Sequence, residues 1–288
     1  MRLFKFGVSL FFVLSAVLFL QAYLTKNAAA ASAAALKHKA KHLNGSGNPS
    51  NPTTYPTVSK LLYGSYKDSI YDIKSYPSFL VKNRYYVLGF AAILSGSLLL
   101  DRGTRAYTLN HQSDTAKNIE GIVEPFGSLY YMMPAVSLLS IYGYYSKNTK
   151  LTNASITSME SLIFSGIITE GLKISVGRQR PDSTDNPFNF KPFNMSNTYK
   201  SFPSGDATVA WSMITPYAVY YKEPTLYLIP VAVDLERIYR NKHWLSDTLM
   251  GSAIGFSIGY FFSKNNMKIG KNVSIGTDGQ TINLNYKF

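Results

Sequence analysis

The apolar runs of this chain are cut before they reach the thickness of a bilayer. Tyr85 to Leu100 is apolar but bounded by Arg84 and Asp101. Pro125 to Ser146 carries no charge, yet Gly127, Pro134 and Gly143 interrupt it. Residues 152–176, 204–222, 225–240 and 244–263 read as further helices, with Pro216 and Pro230 as kink points. An earlier helical face, Leu61, Leu62, Ile70 and Ile73, is expected to end at Pro77. A transmembrane helix needs about 20 consecutive apolar residues. Buried helices of a compact all-α bundle explain these runs as well as membrane spans do. Pro125–Ser146 is the strongest span among them.

The helical region is expected over residues 57–266, and its flanks differ. Residues 1–22 have the form of a secretory signal: Arg2 and Lys5, then an apolar run from Val8 to Leu20. An uncleaved N-terminal anchor is the alternative. Residues 23–56 are rich in Ala, Lys, Asn, Ser and Pro and read as a low-complexity linker. Residues 267–288 alternate apolar and polar around Asp278-Gly279, the pattern of a β-hairpin packed as an appendage. The expected location is the periplasm or cell envelope, with membrane association open.

Charge narrows the partners. The net charge of +13 suits anionic ligands. No dense basic helix with interleaved aromatics accompanies it, so nucleic acid is not expected. The absence of cysteine removes disulfides, thiolate metal sites and a cysteine nucleophile.

Histidine narrows the chemistry. Of four histidines, His38 and His42 lie in the linker, leaving His111 and His243. Asp247 follows His243 at the i, i+4 spacing, which would put both on one helix face. A carboxylate there can hold an imidazole in one tautomer and stabilise its cation. Arg237 offers a fork of donors for an oxyanion. A solvated surface cluster has the same letters. Lys173 and Arg180 close an apolar helix and suit phosphate, or merely complement the helix dipole. Ser204, Gly205 and Asp206 stand at the start of another helix, either as an anion site or as a routine cap.

Taken together, Lys173-x6-Arg180-Pro181, Pro203-Ser204-Gly205 and Arg237-x5-His243-x3-Asp247 resemble the signature of the type 2 phosphatidic acid phosphatase and vanadium haloperoxidase superfamily. The resemblance implies an all-α helical bundle with a phosphate site between helices. By that resemblance Lys173, Arg180 and Arg237 bind phosphate oxygens, and Ser204 and the Gly205 amide add hydrogen bonds. His243 attacks phosphorus, Asp247 orients its far nitrogen, and neither metal nor cofactor is needed. Two positions depart from the pattern. The family usually has a leaving-group histidine after Pro-Ser-Gly, where this chain has Asp206, ordinarily ionised at neutral pH and a poor acid. Glu236 replaces a usual serine and is expected to be peripheral. His111 lies outside the matched blocks. Phe188, Phe190 and Phe193 in the 182–200 connector form either a pocket rim or a pinned loop.

The expected function is a metal-independent phosphatase for phosphomonoesters or diphosphates, with a lipid phosphate or small phosphorylated molecule as partner. A vanadate-dependent haloperoxidase and a non-catalytic phosphate-binding envelope protein are the alternatives.

Overall fold

A computed structural model describes residues 73–277 and 282–286. The signal-like segment 1–22, the linker 23–56 and Leu61, Leu62 and Ile70 of the expected helical face lie outside the described residues. The helices are α1 (Arg84–Asn110), α2 (Asp114–Gly127), α3 (Leu129–Tyr145), α4 (Thr149–Val176), α5 (Gly205–Tyr221), α6 (Leu228–Tyr239) and α7 (Leu245–Asn272). Residues 73–82 are also helical, so Pro77 lies within a helix instead of ending one. Tyr76 to Met267 forms one unit, in which Tyr76 and Phe79 pack edge-on against Phe261.

Small residues let the central helices approach closely. The buried face of α4 is largely Ser and Thr, and its serines bond to backbone. Ser158 Oγ, for example, reaches Ala154 O at 2.9 Å and Met213 O of α5 at 2.8 Å. On α7, Gly251, Gly255 and Gly259 face α5 at the i, i+4 spacing. A Cβ on Gly251 would lie 2.4 Å from the Ser204 carbonyl, and one on Gly255 2.7 Å from that of Thr208. The α5–α7 contact is thus nearly backbone to backbone.

The apolar run expected across Pro125–Ser146 breaks at Ser128, whose extended backbone separates α2 from α3. This leaves α3 with 17 residues. Among the described residues, the helix long and apolar enough to cross a membrane is α1 instead. Its charged ends, taken as boundaries from the sequence, lie inside the helix: Asp101 is buried, while Tyr86, Leu88, Ile93, Leu99 and Leu100 are exposed.

In the other unit, β1 (Val273–Thr277) and β2 (Ile282–Tyr286) pair antiparallel, with Val273 opposite Tyr286. The Asp278-Gly279 turn expected between them lies outside the described residues.

Candidate active site

Helix ends build the site. Helix α4 stops at Gly177, a left-handed cap with φ 59°. A Cβ there would lie 1.9 Å from Lys191 O. That close approach lets the 182–200 connector fold back on the helix end: Lys191 N bonds to Gly177 O at 2.7 Å and Phe193 N to Ile174 O at 2.7 Å. Lys173 sits in the last turn of α4, and Arg178 and Arg180 leave immediately after it. Helix α5 starts behind Ser204, whose Oγ accepts from Ala207 N at 3.4 Å as an N-cap.

His243 is not on a helix. It lies in the turn before α7, and Asp247 lies in that helix's first turn. Asp247 reaches back to accept from Trp244 N at 2.9 Å, as the third helical residue does in a capping box. The shared helix face expected from the i, i+4 spacing is therefore a loop–helix junction. It still leaves Nδ1 of His243 3.6 Å from Asp247 Oδ2. The nearer acceptor is the Ser201 carbonyl, at 2.8 Å from Nδ1. A carbonyl can only accept, so Nδ1 carries the proton and the lone pair is on Nε2. Arg180 Nη1 stands 3.3 Å from that Nε2.

The cations are tightly held. Arg180 also donates to Lys242 O at 3.1 Å and Asn197 O at 3.1 Å. Lys173 Nζ donates to Lys200 O at 3.0 Å and lies 3.6 Å from where a Gly205 Cβ would be. Burial, aided by Arg180, lowers the Lys173 ammonium to about 8. Burial also lowers His243 to about 4; Asp247 opposes the shift, while Arg180 and Lys173 add to it. His243 is therefore neutral through the ordinary pH range. Burial would raise Asp247, but His243, Arg178 and Ser201 hold it below its usual value.

Glu236 is not peripheral. Buried beside Arg237, it takes Nη2 at 2.5 Å and also accepts from Nε. Arg237 Nη1 goes to Asp206 Oδ2 at 2.7 Å. Burial works against the Arg237 charge, but Glu236 and Asp206 outweigh it and raise its proton affinity. His111 takes no part in these contacts: it is exposed, stacked on Tyr107, with Nδ1 2.8 Å from Tyr107 O.

Residues 156–270, which hold all eight expected site residues, match the model of the PAP2 superfamily. The match covers this segment and not the whole chain. Over 99 residues the chain is 30% identical to a lipid A 1-phosphatase of Rhizobium johnstonii, covering 33% of this chain and 41% of that protein. Over 137 residues it is 27% identical to a lipid A 1-phosphatase of Porphyromonas gingivalis, covering 44% of this chain and 28% of that one. The chain thus spans less than half the length of these relatives. A crystal structure of a transmembrane PAP2-type phosphatidylglycerolphosphate phosphatase from Bacillus subtilis aligns at TM-score 0.49 and 17% identity, covering 66% of this chain and 97% of that one.

Two residues of the matched segment contribute more than their sequence context suggests. Arg178 lies inside the first motif, is fully buried, and donates to Asp247 Oδ1 at 2.6 Å. Ser201 gives its carbonyl to His243 and its hydroxyl to Asp247 Oδ2 at 2.5 Å. The spacing Arg178-x-Arg180 was visible, but nothing local separates an arginine that faces substrate from one that faces a buried acid.

Proposed function

We propose that this protein is a lipid phosphate phosphatase that works through a phosphohistidine. The observation that carries the reading is the orientation of His243: its proton is fixed on Nδ1 by Ser201 O at 2.8 Å, and its Nε2 lone pair faces Arg180. A neutral imidazole with a directed lone pair beside buried cations suits attack on a phosphate dianion.

In this reading Lys173, Arg180, Arg237 and the N-terminal amides of α5 at Gly205 hold the phosphate oxygens, with Ser204 shaping that turn. Nε2 attacks phosphorus, the P–O bond to the leaving group breaks, and its electron pair leaves with that oxygen. Water then attacks the phosphohistidine, releasing phosphate and restoring Nε2. Asp206, which accepts from Arg237 Nη1 at 2.7 Å, is the group proposed to exchange the proton with the leaving group and water. Charge neutralisation by Lys173, Arg180 and Arg237 supplies what a metal supplies elsewhere.

The substrate class is supported by the curated relatives, which are lipid A 1-phosphatases, and by the exposed apolar surface of α1 and α3. We assign a lipid-borne phosphomonoester or diphosphate, an envelope location and membrane association.

The test is phosphate release from a lipid phosphate and from p-nitrophenyl phosphate by the full chain in detergent with EDTA. An alkaline detergent quench should trap label from the phosphate on protein as a base-stable, acid-labile adduct, and His243→Ala should abolish both label and turnover. Normal turnover in His243→Ala overturns the mechanism; no release from any phosphate ester or anhydride overturns the activity.

A further inference from the structure

Asp247 has no exposed side-chain surface, and neither does Arg178, whose Nη1 reaches it at 2.6 Å. A guanidinium this close cancels much of the negative charge that Asp247 would offer a cationic or phosphorylated imidazole. The chain places a second buried carboxylate on the far side of that arginine. Asp101 of α1 accepts from Arg178 Nη2 at 2.6 Å, from Ser246 Oγ at 2.6 Å and from Ser246 N at 2.9 Å. Ser246 closes the ring by accepting from Arg178 Nη1 at 2.6 Å. Two carboxylates against one guanidinium leave one net negative charge behind His243.

We propose that Asp101, outside the PAP2 segment, is a positioning residue that acts on His243 through Arg178 and Asp247. It restores the negative charge that Arg178 removes, and it fixes the arginine so that Asp247 stays pointed at the ring. The other ionisable groups acting on His243 are Asp247 of α7, Lys173 of α4 and Arg180 after it. Glu170 of α4 and Asp206 of α5 act on Lys173. The catalytic consequence rests on His243 being the nucleophile; its titration does not.

The experiment is nitrogen NMR of the full chain labelled with 15N-histidine. Only four histidines contribute, and His243→Gln assigns the signal. Arg178→Gln removes a positive charge and should raise the His243 midpoint by about one pH unit. Adding Asp101→Asn removes the opposing charge and should bring the midpoint back toward the wild-type value. Asp101→Asn alone should lower it and cut kcat on p-nitrophenyl phosphate by about tenfold.

A purely structural role predicts the reverse for the double variant: more damage, with no return of the midpoint. A midpoint that ignores Asp101→Asn in both backgrounds overturns the proposal. Far-UV circular dichroism checks folding. If Arg178→Gln does not fold, the fraction of protonated His243 in Asp101→Asn at fixed acid pH decides, and a fraction equal to that of the wild type overturns it. Should the titration move as stated while no variant or wild-type chain shows turnover, the relay stands and the phosphatase reading falls.

Discussion

Asp206 occupies Nη1 of Arg237 at 2.7 Å while Glu236 takes the other side of the same guanidinium. An arginine expected to bind phosphate has all three guanidinium nitrogens bonded to carboxylates, so a phosphate competes with Asp206 for Nη1. Asp206→Asn weakens that competitor. The inhibition constant for inorganic phosphate should fall about tenfold, on the scale of one charge-assisted hydrogen bond. Turnover on substrates whose leaving group needs a proton should fall with it. Competitive inhibition assays on p-nitrophenyl and alkyl phosphates check both; an unchanged constant shows that Asp206 does not guard Arg237.

Asp206→His places a group that titrates near neutrality where the family usually carries histidine. Activity on an alkyl phosphate should rise near pH 7 and activity on a diphosphate should not, because the phosphate leaving group needs little protonation. The ratio of the two kcat/KM values is the readout, and equal changes on both reject leaving-group protonation at this position.

The pH window follows from two buried groups. His243 must be neutral to attack, and its proton is lost above about 4, so activity falls on the acid side of that value. Lys173 must be charged to hold phosphate, and it loses its proton as pH rises through about 8, so activity falls again there. A bell-shaped kcat/KM profile between these limbs is expected. Lys173→Arg should move the alkaline limb up and out of the range, and a limb that stays near 8 assigns it to another group.

Gly255→Ala should destabilise the chain without touching any site residue. The added Cβ would meet Thr208 O at 2.7 Å and Ser212 N at 2.8 Å, both backbone atoms that cannot yield without moving α5. A loss of roughly 1–3 kcal/mol is the scale of such overpacking. Gly166→Ala on α4, where nothing lies within 4 Å, is the control and should be neutral or better. Thermal unfolding in one detergent compares the two.

The sequence made the site easier to read than the fold. Phosphate chemistry needs particular letters at fixed spacings, and Lys173, Arg180, Ser204, Arg237, His243 and Asp247 carry the letters from which the candidate site is proposed. What it did not show was pairing over distance. Asp101 read as the end of an apolar run, because its partner Arg178 lies 77 residues away. Glu236 looked peripheral because adjacent residues on a helix ordinarily diverge, whereas here both side chains turn to one buried place. The break at Ser128 left no mark in hydropathy, so the best apolar run was not the longest apolar helix.

Helix α1 buries only Ser97 and Asp101 of its own length, and its other anchors include Arg105 to Pro181 O, Asn241 and Asp185. It is fastened to the unit by polar bonds, with its oily side left outward. Water competes for such bonds and hydrocarbon does not. His243, the proposed nucleophile, is therefore linked through Asp247 and Arg178 to a helix whose grip depends on the solvent around it. Detergent choice becomes a chemical variable of the assay: a preparation that strips α1 of apolar company loosens Asp101, and the same polypeptide then reports two different activities.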